Sequence, residues 1–343
     1  LRVKLCPFSA TSIFHQGKLI EKALLLKGHQ VEFVKYISMA DVVKKTAEAY
    51  VWLVVANPTW VAHIAGMQHG LLKRPGVKAI CYATIEGIPY PHVAMTSGAQ
   101  WIQYTANSFF TKQCLETVGL KVVGVIHHAI DVDEVAKVQK GVETYRKKLD
   151  KDFPGKVRFL YVGRDDHRKN IPGLVEAVDH MNKRHKDQFE VFLISEAKNF
   201  KTYERPNISM VGITGNEEHE TLMKWMGAVD FFTYPSVSEG FGVPVLEALA
   251  MGTPVVCNQM PPLTEFTNPQ VALYYPYERV EYLKTDAEQF FQMHRYNPKD
   301  YADAMLKAID LKTKHSDRYE DMRAKAAEHA AKWDLRKIYS NIV

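Results

Sequence analysis

The sequence predicts an α/β protein of two doubly wound domains in tandem. Three observations point to it: short apolar runs alternate with segments of helical period, the runs are apolar throughout, and the whole rhythm restarts once near mid-chain. Strands without polar alternation need cover on both faces, which a parallel sheet wrapped by helices supplies.

In chain order, "LRVKL" opens the first unit and a helical pattern runs through "GKLIEKALLLKGH", followed by "VEFVKY", "YVWLVV", "VKAICYAT", "WIQYTA" and "KVVGVI". The charged stretch from Asp131 to Gly155 is the expected linker, and the rhythm resumes with "VRFLYVG", "FEVFLIS", "ISMVG", "VDFFTYPS" and "TPVVCN". The boundaries expected from this are a first domain at residues 1–150, a second at 151–322, and a closing helical stretch at about 323–343 anchored by Trp333, Leu335 and Ile338.

Composition narrows the class. With 46% hydrophobic and 24% charged residues over 343 positions, the chain has the balance of a globular protein with room for two cores. Cys6, Cys81, Cys114 and Cys257 form no Cys-x-x-Cys pair, which argues against a disulfide framework and for a reducing, cytoplasmic setting. The most apolar stretch, from Tyr50, is interrupted by Asn57-Pro58 and reads as a strand and a helix, not a membrane span. Residues 1–150 hold 18 Lys+Arg against 11 Asp+Glu. That basic half suits a solvated lysine-rich face, and equally an anionic acceptor or peripheral contact with an acidic membrane surface. It lacks the aromatic-interleaved basic patch of a nucleic-acid binder, so no nucleic-acid partner is expected.

Chemistry belongs beyond the carboxyl ends of the strands in such sheets, and two loops there are distinctive. After "VDFFTYPS" comes "VSEGFGVPVLEALAMG": Gly240 and Gly242 allow close backbone approach, and Pro244 suits a first helical turn. The helix start then offers free N–H groups and its dipole to a phosphate. Glu239 before that helix and Glu247 within it can accept hydroxyls at opposite ends of a ligand whose phosphates lie between them, as a nucleotide sugar requires. Taken singly, Glu239 reads as well as a helix cap and Glu247 as a solvated acid. The second loop, "GRDDHRKN", supplies Arg164, Arg168 and Lys169 as donors to an anion, with Arg164 and Lys169 as the expected functional pair; Asn170 is a fair helix cap.

Together, "GRDDHRKN" and "YPSVSEGFGVPVLEALAMGTPVV" resemble the retaining GT-B glycosyltransferases of family four, the two glutamates forming its E-x7-E element. The resemblance extends loosely to "VIHHAID" and to the closing helix with Trp333. It implies a GT-B architecture, two Rossmann-like domains facing a cleft that closes on substrate, with the last helix crossing back onto the first domain. It further implies that Arg164 and Lys169 bind the donor diphosphate, Glu239 the transferred sugar and Glu247 the ribose. The backbone of Gly240, Phe241, Gly242 and Val243 would hold sugar and phosphate, and Val211-Gly212-Ile213 would border the base.

Three departures stand out. The first loop, "CPFSATSIFHQGK", offers only Gly17, with Ser9, Thr11 and Ser12 as substitutes; Glu86 stands where the family often has a histidine, as a candidate proton acceptor or hydroxyl ligand; and Ala129 replaces a glycine. His127 and His128 lie at a strand end facing the expected cleft, and Trp60, Tyr82, Tyr90 and Trp101 are core or acceptor platform.

No His/Cys/Asp cluster has metal-ligand spacing and no Asp-x-Asp stands in a donor loop, so no metal ligands are expected and transfer is expected to be metal-independent. Gly-x-Ser-x-Gly, Walker and Gly-x-Gly-x-x-Gly elements are absent, which removes hydrolase, P-loop and nicotinamide readings. The expectation is a hexosyltransferase moving a sugar from a UDP- or GDP-linked donor, such as UDP-glucose, to a carbohydrate, lipid-linked or protein hydroxyl, with no cofactor besides the donor. A sugar-nucleotide epimerase of the same fold and a non-catalytic nucleotide-sugar binding protein are the alternatives.

Overall fold

The computed structural model describes residues 1–7, 11–55, 58–96, 98–196, 200–213 and 217–343, without side chains for a few positions at the edges of the gaps. Its strands are β1 Arg2–Pro7, β2 Gln30–Phe33, β3 Ala49–Val55, β4 Lys78–Thr84, β5 Gly87–Pro89, β6 Gln103–Ala106, β7 Lys121–Val125, β8 Val157–Val162, β9 Phe189–Ser195, β10 Ile208–Ile213, β11 Phe231–Tyr234, β12 Val255–Asn258, β13 Ala272–Tyr275, β14 Arg279–Lys284 and β15 Gln289–Arg295. Two parallel six-stranded sheets result, ordered β2-β1-β3-β4-β6-β7 and β10-β9-β8-β11-β12-β13. This is the α/β architecture of two parallel-sheet domains that the sequence predicts.

The apolar runs behave as expected of strands covered on both faces. Every residue of β8 and β9 is buried, and Phe159, Leu160, Val191 and Leu193 lie in one core with Leu174 and Val178 of the helix Ile171–His185. In the first sheet β3 is buried except at its last residue. Its two faces feed separate clusters, one holding Tyr50, Trp52 and Val54 and the other Val51 and Leu53.

Three features depart from the sequence reading. The expected linker is a 21-residue helix, Val132–Asp152, whose Val138, Val142 and Leu149 join the second core. Its amphipathic spacing packs it on the helix His219–Ala228, so the chain leaves the first unit at about Ile130, well before residue 150. The closing stretch is not one helix. Ser316–Ala330 stays with the second core, a short 3-10 turn spans Ala331–Trp333, and Leu335, Tyr339 and Ile342 enter the first core. The two crossings are tied together: Ile130 N–H donates to the Trp333 carbonyl at 3.0 Å and Leu335 N–H to that of Ile130 at 2.9 Å.

The third departure is a small antiparallel sheet, β14-β15-β5, in which a hairpin from the second unit pairs with a strand of the first. Gly87 permits it, because a Cβ there would lie 1.8 Å from the Phe290 carbonyl oxygen. Among the described residues, no helix is long and apolar enough to cross a membrane.

Candidate active site

In the second sheet the strand order reverses between β8 and β11, which makes the loops after those two strands the lips of the crevice where ligands bind in open α/β sheets. These are the two loops singled out by composition. They are joined by backbone: Val237 N–H donates to the Arg168 carbonyl at 2.8 Å, and Ser236 Oγ to the same carbonyl at 3.0 Å.

Glu239 is the centre of the site and is 5% exposed. Its Oε1 accepts from Lys169 Nζ at 2.6 Å, Tyr234 OH at 2.8 Å and Ser236 Oγ at 2.5 Å, and its Oε2 from Arg168 Nη1 at 3.2 Å. Burial opposes its charge, but Lys169 and Arg168 outweigh that and hold the carboxyl at about 2. Burial pulls Lys169 below the usual lysine range against the attraction of Glu239. Burial likewise disfavours the Arg168 charge, yet Glu239 and Glu86 raise its pKa further still. The result is a buried ionic cluster whose carboxylate is already saturated.

The two members of the expected cation pair sit differently: Lys169 lies within the cluster and Arg164 outside it. Arg164 turns outward, with a 64% exposed side chain held by Asp166 at 3.3 Å, while Arg168, its side chain 12% exposed, lies between Glu239 and Glu86, 3.6 Å from Glu86 Oε1. The physical reason is depth: the loop buries its last two cations against the Glu239 carboxylate and leaves Arg164 at the rim. Glu239 does not cap the following helix. Gly242 is the N-cap of Val243–Ala250, at φ +99°, with no side-chain cap. Asn170 likewise makes no side-chain cap; it sits at φ +50° and its amide donates to Tyr296 OH at 2.9 Å.

The two units meet at the Gly240 loop. A Cβ on Gly240 would lie 2.4 Å from Thr84 Oγ1, Ser108 Oγ donates to the Gly240 carbonyl at 3.1 Å, and Ser238 Oγ to that of Glu86 at 2.8 Å. Phe241 is buried and stacks on Phe266 with centroids 4.6 Å apart, beside His128 at 5.1 Å. Val243 is half-buried and opens the helix. Glu86 of the first unit thus reaches the ionic cluster through Arg168, at 3.6 Å.

Several other expected contacts are redirected. Gly17 lies inside the helix Thr11–Leu26, not in a ligand loop; a Cβ there would meet Pro7 at 3.1 Å, so it serves close helix-to-strand packing. Ser9 lies outside the described residues, as do the side chains of Thr11 and Trp60. Val211, Gly212 and Ile213 end strand β10 and are not a loop; Gly212 faces Glu217. His128 is neutral, pushed down to about 3 by burial, and bonded to Tyr82 OH and Asn107. His127 pairs with Glu265 at 2.9 Å, and Ala129 is buried with both backbone groups bonded to Gln16. Tyr82 is core and Tyr90 packs on Phe290 of the hairpin, whereas Trp101 is 64% exposed.

Glu247, 8% exposed, accepts from His219 Nε2 at 2.9 Å, and the opposite ring nitrogen bonds Glu134 at 3.1 Å. Burial disfavours the imidazolium, but the hydrogen bonds it donates to Glu134 and Glu247 prevail and raise His219 to about 10. His15, His219 and Glu247 place ligand atoms within 4.8 Å of one another. This convergence of three helices from both units was not visible as spacing in the sequence.

This fold and this crevice define a two-domain α/β enzyme of the glycosyltransferase type. Residues 142–329 match the family model "Glycosyl transferases group 1", and the chain belongs to that family. It is 33% identical to the uncharacterized glycosyltransferase 335 of Sulfolobus islandicus rod-shaped virus 1, over 78% of this chain and 79% of that one. It is 26% identical to a D-inositol 3-phosphate glycosyltransferase of Paenarthrobacter aurescens, over 60% of this chain and half of that one. In architecture it is similar to a glycosyltransferase from Rickettsia africae (TM-score 0.69, 16% identity, 98% and 95% coverage). It is also similar to Anabaena Alr3699/HepE in complex with UDP and glucose (TM-score 0.66, 13% identity, 100% and 98% coverage). The GT-B fold and a transferase function follow from these likenesses together.

Proposed function

We propose that the chain is a retaining hexosyltransferase that takes a sugar from a UDP- or GDP-linked donor held mainly by the second unit and gives it to a hydroxyl acceptor at the first. The observation that supports this most is the buried Lys169–Glu239–Arg168 cluster at the sheet's switch point, beside the Gly242-capped helix start. The complex of the similar fold with UDP and glucose agrees with a nucleotide-sugar donor.

The saturated state of Glu239 suggests how binding proceeds. Phosphate oxygens compete with the carboxylate for Lys169 and Arg168; as the diphosphate draws those cations, Glu239 is freed to accept sugar hydroxyls. Arg164, at the rim, closes on the outer phosphate, and Glu247 exchanges its His219 bond for the ribose hydroxyls. Glu86 accepts a hydroxyl of the sugar or acceptor. In the transfer step the acceptor oxygen forms the new bond to the anomeric carbon on the face from which the diphosphate leaves. The bonding pair departs with the phosphate, whose oxygen takes the acceptor proton. Lys169, Arg168 and the helix start stabilise that leaving charge, the role a metal ion fills in other transferases, so the reading includes turnover without metal or added cofactor.

The test is a calorimetric titration of the chain with UDP, GDP and their hexose conjugates in EDTA, alongside Glu247→Ala and Lys169→Ala. Binding of one nucleotide series, weakened in both variants, is the expected outcome; no binding by any of them sinks the donor-site assignment.

A further inference from the structure

We propose that His15, His219 and Glu247 form a binding site for a divalent transition-metal ion of the Zn²⁺ class, which ties the two units together and displaces the donor. The three ligands come from three helices, Thr11–Leu26 of the first unit and His219–Ala228 and Val243–Ala250 of the second. Their ligand atoms lie within 4.8 Å of one another, and the His15 and His219 rings are 4.3 Å apart at their centroids. Tetrahedral ligands at Zn–N and Zn–O bond lengths stand about 3.4 Å apart, so the set closes on an ion with a shift of roughly an ångström.

The chemistry of the donor set selects the ion. Two imidazoles and one carboxylate suit Zn²⁺ or Co²⁺, whereas Mg²⁺ and Ca²⁺ require oxygen ligands throughout. Three protein ligands leave a fourth position for water, and His219 is 31% exposed, which provides an entry path.

The surroundings are those of a metal-binding histidine. His219 Nε2 faces Glu247 Oε1 at 2.9 Å, where an ion replaces the bridging proton, released to solvent. The opposite nitrogen, Nδ1, keeps its bond to Glu134 at 3.1 Å, a second carboxylate that fixes the ring's orientation as outer partners of metal-bound imidazoles do. His15 supplies the remaining nitrogen, and its ring makes no hydrogen bond among the described residues. Asp131, the N-cap of the helix that carries Glu134, is ion-paired with Lys22 of the helix that carries His15.

Displacement of the donor rests on the reading above that Glu247 holds the ribose; binding of the ion does not. The full-length chain, stripped with EDTA and desalted, is titrated with Co²⁺ by visible absorption and with Zn²⁺ by calorimetry, with Mg²⁺ as control. Expected are a one-to-one Co²⁺ spectrum of low-coordinate type, no response to Mg²⁺, and a rise in Tm with Zn²⁺. Zn²⁺ affinity falls about 10-fold or more in Glu134→Gln and further in His15→Ala. Both variants are first matched to the wild type in circular dichroism and Tm in EDTA; if His15→Ala does not fold, His15→Gln takes its place. Equal Zn²⁺ affinity in the wild type and the folded His15 variant, or no Co²⁺ spectrum, overturns the site. UDP and GDP titrations with and without Zn²⁺ then separate the two claims. Zn²⁺ binding with unchanged nucleotide affinity keeps the site and overturns displacement. Nucleotide binding that needs Glu247, without any Zn²⁺ binding, keeps the donor site and overturns the metal site.

Discussion

Glu239 gathers Lys169, Arg168, Tyr234 and Ser236 around one buried carboxylate, so removing its charge strands two cations. Glu239→Gln is expected to cost about 3–5 kcal/mol in urea denaturation at pH 7, as for other broken buried pairs. The same geometry sets a pH dependence. The folded carboxyl titrates at about 2 and an unfolded one at its ordinary value of 4.5, so this contribution is complete above pH 4.5 and is lost as the pH falls through 2. Urea midpoints measured from pH 6 down to pH 2 should fall less steeply in Glu239→Gln than in the wild type; parallel curves would contradict the assignment. For catalysis, Lys169→Ala should lower turnover more than donor affinity, because its charge matters most as the phosphate leaves. Single-turnover rates set against donor Kd check this, and equal turnover in variant and wild type rejects the role. Glu239 and Lys169 were singled out in sequence as members of two loops, and Glu247 as a residue of the helix that follows one of them. The choice of Arg168 over Arg164 as the buried partner was not legible, since both lie in one charged octapeptide and only depth in the folded crevice separates them.

Elements add constraints that single residues do not. Gly242 sits at φ +99° with the Leu263 Cδ2 atom 2.5 Å from where a Cβ would be, so Gly242→Ala meets backbone strain and a clash together. We expect a loss of about 1–3 kcal/mol or more, read from thermal unfolding with the donor absent. At the hairpin, Gly87→Ala would drive a Cβ into the Phe290 carbonyl and break the pairing of β5 with β15. Hydrogen exchange across residues 279–295 should then speed up while the two large sheets keep their protection; unchanged exchange in the hairpin would show that the pairing tolerates the methyl. The hairpin of β14 and β15 was not among the strands expected from the sequence, and its three-residue partner β5, some 200 residues earlier, is too short to carry a local signature.

Across the whole molecule, the two units touch directly at Gly240 against Thr84 and Ile85, and the chain crosses between them at Ile130 and Trp333. A side chain at position 240 should hold the units apart. Gly240→Ala is predicted to raise the radius of gyration in small-angle scattering and to weaken donor binding, with Tm little changed because each core is separate. The strand runs, the restart of the rhythm and the two loops after β8 and β11 followed from local composition, because apolar continuity and glycine placement act over a few residues at a time. The tertiary structure alone decided which cation is buried, that Gly17 packs rather than binds, that the supposed linker is a helix of the second core, and that His15, His219 and Glu247 converge. Each of these depends on contacts between residues far apart in the chain, set by how two sheets and their helices close on one another rather than by spacing along the sequence.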